Sequence, residues 1–255
     1  MGIVQDTVVV VPCYNEAARL DVPAFEAALE REPKLRLLLV DDGSKDDTKA
    51  VLQGIAQRHP GRAECLSLAK NSGKAEAVRQ GVLQAFDSKP ELVGYWDADL
   101  ATPLEDVTAF AKVLEDPKLM IVLGSRVRLL GRHIERTTAR HYIGRVFASA
   151  ASLVLGLPIY DTQCGAKLLR ATPQIRSVFE RPFELNWCFD VEMLARLLGL
   201  EAKGQLNLRE QCVEFALDSW VDAPGSKLNV KQIPKVLGEL ARLGAIVRSE
   251  KTRPL

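Results

Sequence analysis

The sequence predicts an α/β fold with a mostly parallel sheet and helices on both faces. Three observations carry that expectation. Short aliphatic and β-branched runs recur through the first half of the chain. Helical periodicities fill the gaps between them. Acidic and polar clusters fall where the runs end, which is where open α/β sheets bind ligands.

The first run, TVVVVP (Thr7–Pro12), is continuously apolar, as expected of a strand buried on both faces. LRLLLVDD (Leu35–Asp42), AECLSL (Ala63–Leu68), LVGYWD (Leu92–Asp97) and LMIVLGS (Leu119–Ser125) read the same way. Between the third and fourth runs, Ala75, Val78, Val82, Ala85 and Phe86 step by three or four and form one apolar helical face. Thr102-Pro103-Leu104-Glu105 predicts a helix start: Thr102 as cap, Pro103 at the first position, Glu105 closing a capping box.

The second half is less regular. Gly124–Arg145 carries six arginines, two histidines and one acid, Glu135. Such a run is either a solvated helical face or a surface for an anion or a membrane. It leads into VFASAASLVLGLPIY (Val146–Tyr160), which Arg145 and Asp161 close before it is long enough to span a bilayer. A buried helix is the first reading of this run, and a helix touching a membrane surface the second. Ile233–Val247 has the spacing of an amphipathic packing helix. The expected organisation is one domain over residues 1–230, with a nucleotide-binding half (1–125) and an acceptor half (126–230). A C-terminal amphipathic helix and tail (231–255) follow.

Composition excludes several classes. With 255 residues, 47% of them hydrophobic, the chain can bury a sizeable core. A net charge of +1 argues against bulk nucleic-acid binding. The five cysteines include no C-x-x-C pair, so reduced thiols in a cytosolic protein are expected rather than zinc or disulfides. The N-terminal residues do not read as a signal peptide. No G-x-G-x-x-G follows the first strand, and NSGKA lacks the upstream glycine and the Ser/Thr of a P-loop.

Four polar clusters remain. Asp97-Ala98-Asp99 ends the fourth run; alternate carboxylates on extended backbone project the same way and suit Mg²⁺ or Mn²⁺. Asp41 and Asp42 end the second run. They can accept from a nucleobase or ribose; the other reading is a helix cap by Ser44 or Asp46, which for Ser44 still leaves Asp41 and Asp42 free for a ligand. Pro12, Tyr14 and Glu16, after the first run, place a ring and a carboxylate where a base can lie. Asn71 and Lys74 flank Gly73 at a helix start, a natural phosphate position.

In order, V-P-C-Y-N-E, V-D-D-G-S-x-D-x-T, N-x-G-K-A-x-A-x-x-x-G, D-A-D and G-S-R make the sequence resemble glycosyltransferase family 2. The resemblance implies a GT-A type fold, a nucleotide-diphosphate sugar donor and inversion at the anomeric carbon. By matching motif it places Pro12, Tyr14, Glu16 and Asp42 on the nucleoside. It places Asp97, Ala98 and Asp99 at the metal and diphosphate. Asp161–Leu168 (DTQCGAKL), Phe189-Asp190-Val191-Glu192 and the Trp220–Lys227 loop resemble elements of dolichyl-phosphate β-glucosyltransferases, with Asp222 where that group has Glu. Related mannosyl enzymes carry Gln where this chain has Ala101, so glucose from a UDP-sugar is the implied donor group.

The mechanism this implies uses a divalent metal against the leaving diphosphate. Arg126 and Lys227 are the expected phosphate cations, and Asp190 or Glu192 the base if the acceptor is a hydroxyl. The expected acceptor is a polyprenyl or dolichyl phosphate, reached by a cytoplasmic protein in peripheral contact with a membrane. A soluble enzyme using a sugar or small hydroxyl acceptor is the alternative. A non-catalytic nucleotide-sugar sensor is the alternative of another class.

Overall fold

The computed structural model describes residues 2–135, 138–221 and 233–253. The elements of the first half are β1 (Thr7–Cys13), α1 (Val22–Arg31), β2 (Leu35–Asp41), α2 (Thr48–Arg58), β3 (Ala63–Ser67), α3 (Lys74–Asp87), β4 (Leu92–Trp96), α4 (Asp106–Val113) and β5 (Ile121–Ser125). The second half adds β6 (His133–Glu135), α5 (Thr138–Leu155), β7 (Ala166–Arg170), α6 (Pro173–Glu180), α7 (Phe189–Ala202), α8 (Leu208–Gln211), β8 (Cys212–Ala216), β9 (Ser219–Val221) and α9 (Ile233–Thr252).

Seven strands form one sheet in the order β3-β2-β1-β4-β7-β5-β8. All pairings are parallel except those of β7, which runs antiparallel between β4 and β5. The strands expected in the first half form, each within two residues of its expected limits. Their continuous apolar character has a direct cause. Alternate residues feed two cores, one on each face. Val8, Val10, Leu38, Val40, Val93 and Tyr95 meet α3, α6 and α7. Val9, Val11, Leu37, Leu39, Leu92 and Trp96 meet α1, α2 and α4. The first core also takes in Leu169, Leu194, Leu243 and Val247, so apolar residues from both halves and from the C-terminal helix pack together.

Two local expectations are corrected. The helix after Asp99 begins at Asp106, and Thr102 does not cap it. The Trp96 indole N–H donates to the Thr102 carbonyl at 2.9 Å, and the chain descends through Pro103, Leu104 and Glu105 in turns before α4. Neither Ser44 nor Asp46 is the N-cap of α2, whose cap residue is Asp47. Ser44 Oγ instead accepts from the Asn15 amide at 3.1 Å, and Asp46 accepts from the Thr48 amide at 3.0 Å. The run after Arg145 lies mostly in α5, with Ala151 and Leu155 buried and Val146 and Leu153 exposed at 72% and 84%. It is therefore neither wholly buried nor long and apolar enough to cross a membrane.

Helix α7 is buried along most of its length and carries its own ion pair. Arg196 donates to Glu192 Oε1 at 2.6 Å, and Glu192 Oε2 accepts from the Leu185 amide at 2.8 Å. Arg196 also donates to the carbonyls of Val178, Arg181 and Pro182. Removing one partner of such a pair strands the other in a low-dielectric interior. Arg196→Met is therefore expected to destabilise the fold by about 3–5 kcal/mol, measured by urea unfolding.

Asp106 supplies a second test. Its Oδ2 is buried without a hydrogen-bond partner. Burial, and then the Glu105 charge, push its pKa from 3.8 to about 6. Between those values the folded protein keeps a proton that the unfolded chain has released, so stability falls as pH rises through the window. Asp106→Asn has no such titration. Its melting temperature relative to the parent should climb from pH 4 to pH 7; a constant difference contradicts the assignment.

Candidate active site

The carboxyl ends of β1, β2 and β4 lie side by side, because those strands are parallel neighbours in the sheet. The antiparallel β7 delivers its leading turn, Asp161–Gly165, to the same edge, and β5 delivers Arg126. Pro12, Tyr14, Glu16, Asp41, Asp42, Asn71, Lys74, Asp97, Ala98 and Asp99 are therefore gathered at one rim.

At the end of β1, Tyr14 is half-buried and Glu16 is buried. Arg19 grips both oxygens of Glu16. Asn15 has φ +54° and ties this loop to the next: its side-chain oxygen accepts from the Lys45 amide at 2.9 Å. Asp41 Oδ1 accepts from the Ser44 amide at 3.0 Å, which closes the turn after β2.

Asp42 is buried and holds the loop before α3. Its two oxygens accept from the amides of Ser72 and Gly73, at 2.7 and 2.8 Å. Burial raises its pKa and those two amides pull it back, with a net upward shift. Asp42 thus shapes the 71–74 loop, where Gly73 has φ +91° and lies against Asn186. Asn71 and Lys74 stand exposed beyond it.

Lys74, the first residue of α3, forms an ion pair with Asp97. Burial lowers the Lys74 pKa, but Asp97, Asp190 and Asp99 outweigh that and hold it above the ordinary lysine value. Ala98 is buried, which turns the carboxylates on either side of it away from the core. Asp99 Oδ1 accepts from the Ala101 amide at 3.1 Å, and Leu100 between them has φ +47°. Desolvation, then the Asp97 charge, raise the Asp99 pKa.

A divalent cation fits this pair. The Lys74 ammonium already occupies a cation's place against Asp97. Asp97 and Asp99 supply hard oxygen donors, and their mutual repulsion is relieved by positive charge. Among the described residues no cluster of three or more metal-ligating side chains occurs, so the remaining positions would fall to water or to a ligand's oxygens.

The residues expected to perform chemistry in the second half are placed differently. Asp190, at the start of α7, is 4% exposed. Lys167, with no exposed surface, donates to it at 2.6 Å, and the Tyr95 hydroxyl also donates to it. Glu192 is corrected from candidate base to structural partner, since Arg196 and the Leu185 amide engage it. Arg126 is not a free phosphate cation: it makes two hydrogen bonds to Asp161, at 2.6 and 2.8 Å. Burial works against its charge, but Asp161 more than compensates and drives its pKa up. Lys227 and Asp222 lie outside the described residues.

Sequence reasoning missed the buried Lys167–Asp190–Tyr95 network. Its signal was a lysine inside the apolar strand AKLLR, which requires a buried anion somewhere in the fold. The pairing of Arg126 with Asp161 was missed as well.

Comparison with known proteins fits this geometry. The family model described as Glycosyl transferase family 2 matches residues 8–174. A Trichomonas vaginalis protein named dolichyl-phosphate beta-glucosyltransferase ALG5C is 30% identical, over 95% of this chain and 72% of its own. The Mus musculus dolichyl-phosphate beta-glucosyltransferase is 34% identical, over 86% of this chain and 68% of its own. Among solved structures, Mycobacterium tuberculosis glucosyl-3-phosphoglycerate synthase superposes with a TM-score of 0.62 at 18% identity, covering 99% of this chain and 82% of that one. The same enzyme has been solved with Mn²⁺, uridine diphosphate and glucosyl-3-phosphoglycerate; that structure gives a TM-score of 0.59 at 16% identity, with 99% and 82% covered. The shared fold is GT-A, and a chain whose β1–β4 rim carries this family's ordered motifs and whose first two thirds match its model belongs to glycosyl transferase family 2 and is a glycosyltransferase.

Proposed function

We propose that the protein transfers glucose, with inversion, from UDP-glucose to a polyprenyl phosphate such as dolichyl phosphate, with Mg²⁺ or Mn²⁺ at Asp97 and Asp99. The names of relatives at 30–34% identity support the sugar and the acceptor. One structural observation carries the acceptor class: the two carboxylates at the start of α7 are both engaged, Asp190 by Lys167 and Tyr95, Glu192 by Arg196. A hydroxyl acceptor needs a base to take its proton. A phosphate monoester, with a second pKa of about 6, is already anionic at neutral pH and needs none.

In this reading a phosphate oxygen of the acceptor attacks the anomeric carbon from the face opposite the leaving group. The new C–O bond forms as the bond to the nucleotide diphosphate breaks, and UDP departs with the electron pair. A divalent cation supplies Lewis-acid neutralisation of the leaving diphosphate when bound. Asp97 and Asp99 would hold it, and Lys74, beside Asp97 at the start of α3, would meet the phosphate charge at a helix N-terminus. Tyr14 offers a ring for the base, while Asp42 acts through the loop it holds.

Peripheral membrane contact belongs to the same proposal. Val146 and Leu153 lie two turns apart and exposed on α5, and Leu129 and Leu130 are exposed just after Arg126. Arg145 lies 3.6 Å over the Tyr160 ring at the foot of this helix. The arrangement supports an apolar contact flanked by basic charge.

Asp99→Asn removes an anionic oxygen at almost constant volume. Transfer should fall by about a hundredfold or more, with the far-ultraviolet circular dichroism unchanged. Turnover and metal dependence equal to the parent's would refute the metal assignment.

A donor panel tested against polyprenyl phosphate, with products weighed by mass spectrometry, decides the substrates. UDP-glucose should give the glucosyl lipid phosphate, and calorimetry with Mn²⁺ should find UDP bound more tightly than GDP. Product formed only with sugar or small hydroxyl acceptors overturns the acceptor reading. Donor binding with neither transfer nor hydrolysis would mark a sensor.

A further inference from the structure

The turn that leads into β7 does more than complete the sheet. β7 pairs with β4 antiparallel, with Trp96 opposite Ala166 and Tyr95 opposite Lys167. One step further toward the rim, Asp97 faces Gly165. A Cβ on Gly165 would stand inside the Asp97 carboxylate, overlapping Cγ and both oxygens. The side chain thus lies flat across the one residue type that leaves room for it.

The turn cannot retreat to make that room. Lys167 Nζ donates to the Cys164 carbonyl at 2.5 Å and is itself held by Asp190. Gln163 Nε2 donates to the Trp187 carbonyl at 3.3 Å. Asp161 is bound by Arg126 and accepts from the Gln163 amide at 3.2 Å. Cys164 is buried with its Sγ beside Gly124. Anchors on both sides of Gly165 fix its backbone, so the adjustment to any added atom falls on Asp97.

We propose that Gly165 is a positioning residue for the metal-binding carboxylate. By having no side chain it lets Asp97 lie across the turn, where it meets Lys74 and stands next to Asp99. This rests on the metal reading above for its functional consequence, though not for its steric part. Displacing Asp97 takes one of two oxygen donors out of register with the other, and changes of this kind in the groups that orient metal ligands lower metal affinity about 10- to 100-fold.

The test compares the parent, Gly165→Ala, Asp97→Ala and the double variant, by thermal unfolding and by calorimetric titration of Mn²⁺ into protein saturated with UDP. Gly165→Ala should weaken Mn²⁺ binding about tenfold or more and lower the melting temperature. In the Asp97→Ala background the same methyl group meets no carboxylate, so the melting temperature should not fall further. Parental Mn²⁺ affinity in Gly165→Ala overturns the proposal, as does an equal loss of melting temperature in both backgrounds. Should Gly165→Ala fail to fold by itself, a folded double variant supports the proposal and an unfolded one defeats it. A parent that binds UDP identically with and without Mn²⁺ defeats the metal reading instead, and the melting-temperature cycle then decides the steric part.

Discussion

The Lys167 ammonium has no exposed surface, and its position governs the rest of the site. An unpaired charge at such a depth is not tolerated, so the strand carrying it must lie where an anion and a carbonyl converge. Asp190 provides the anion from the first turn of α7, and Cys164 provides the carbonyl from the turn before β7. That requirement sets α7 against the sheet at one height. It also sets the antiparallel strand in register between β4 and β5. Tyr95, opposite Lys167, closes the arrangement from the neighbouring strand.

Charges alternate outward from that point. Lys167 pairs with Asp190 below, and Lys74 pairs with Asp97 above, where Asp190 and Asp99 also act on it. Arg126 and Asp161 repeat the pattern at the side. Asp41, Asp42 and Asp99 add negative charge held by backbone amides, so an anionic diphosphate entering the rim must bring or recruit positive charge. That is an electrostatic argument for the proposed metal beside the two carboxylates, where a cluster of arginines would also bind phosphate.

Much of this was legible in the sequence, for a physical reason. Strands buried on both faces need no information beyond their own residues, and β1, β2 and β4 announced themselves as apolar runs ending in Asp or polar residues. Asp97 and Asp99 were legible because spacing by two is a local property of extended backbone. The strand β7 was not. Its Lys167 and Arg170 look like surface residues until Asp190 and the carbonyls of Leu119 and Asp116 are brought to them by the fold. The partners of Asp190, Glu192, Arg126 and Asp42 failed to read out in the same way. A carboxylate or guanidinium is catalytic or structural according to its partner, and those partners lie between 4 and 95 residues away. The start of α4 was misplaced as well, and the Trp96 indole takes the Thr102 carbonyl as the chain passes through turns before that helix.

The N-terminus of α7 has one more guardian. Glu239, buried on α9, accepts from the amides of Trp187 and Cys188 through one oxygen, at 3.0 and 2.9 Å. Cys188 is the cap residue of α7 and Trp187 precedes it, so Glu239 holds the lead-in to the helix. The carboxylate that ties down the start of the helix presenting Asp190 thus comes from 51 positions beyond Cys188. Trimming α9 would release the start of α7 as well as expose apolar surface, so the C-terminal segment cannot be exchanged or shortened as an appendage. Anything that pulls on it, whether a partner, a surface or a tether, pulls on the floor of the site.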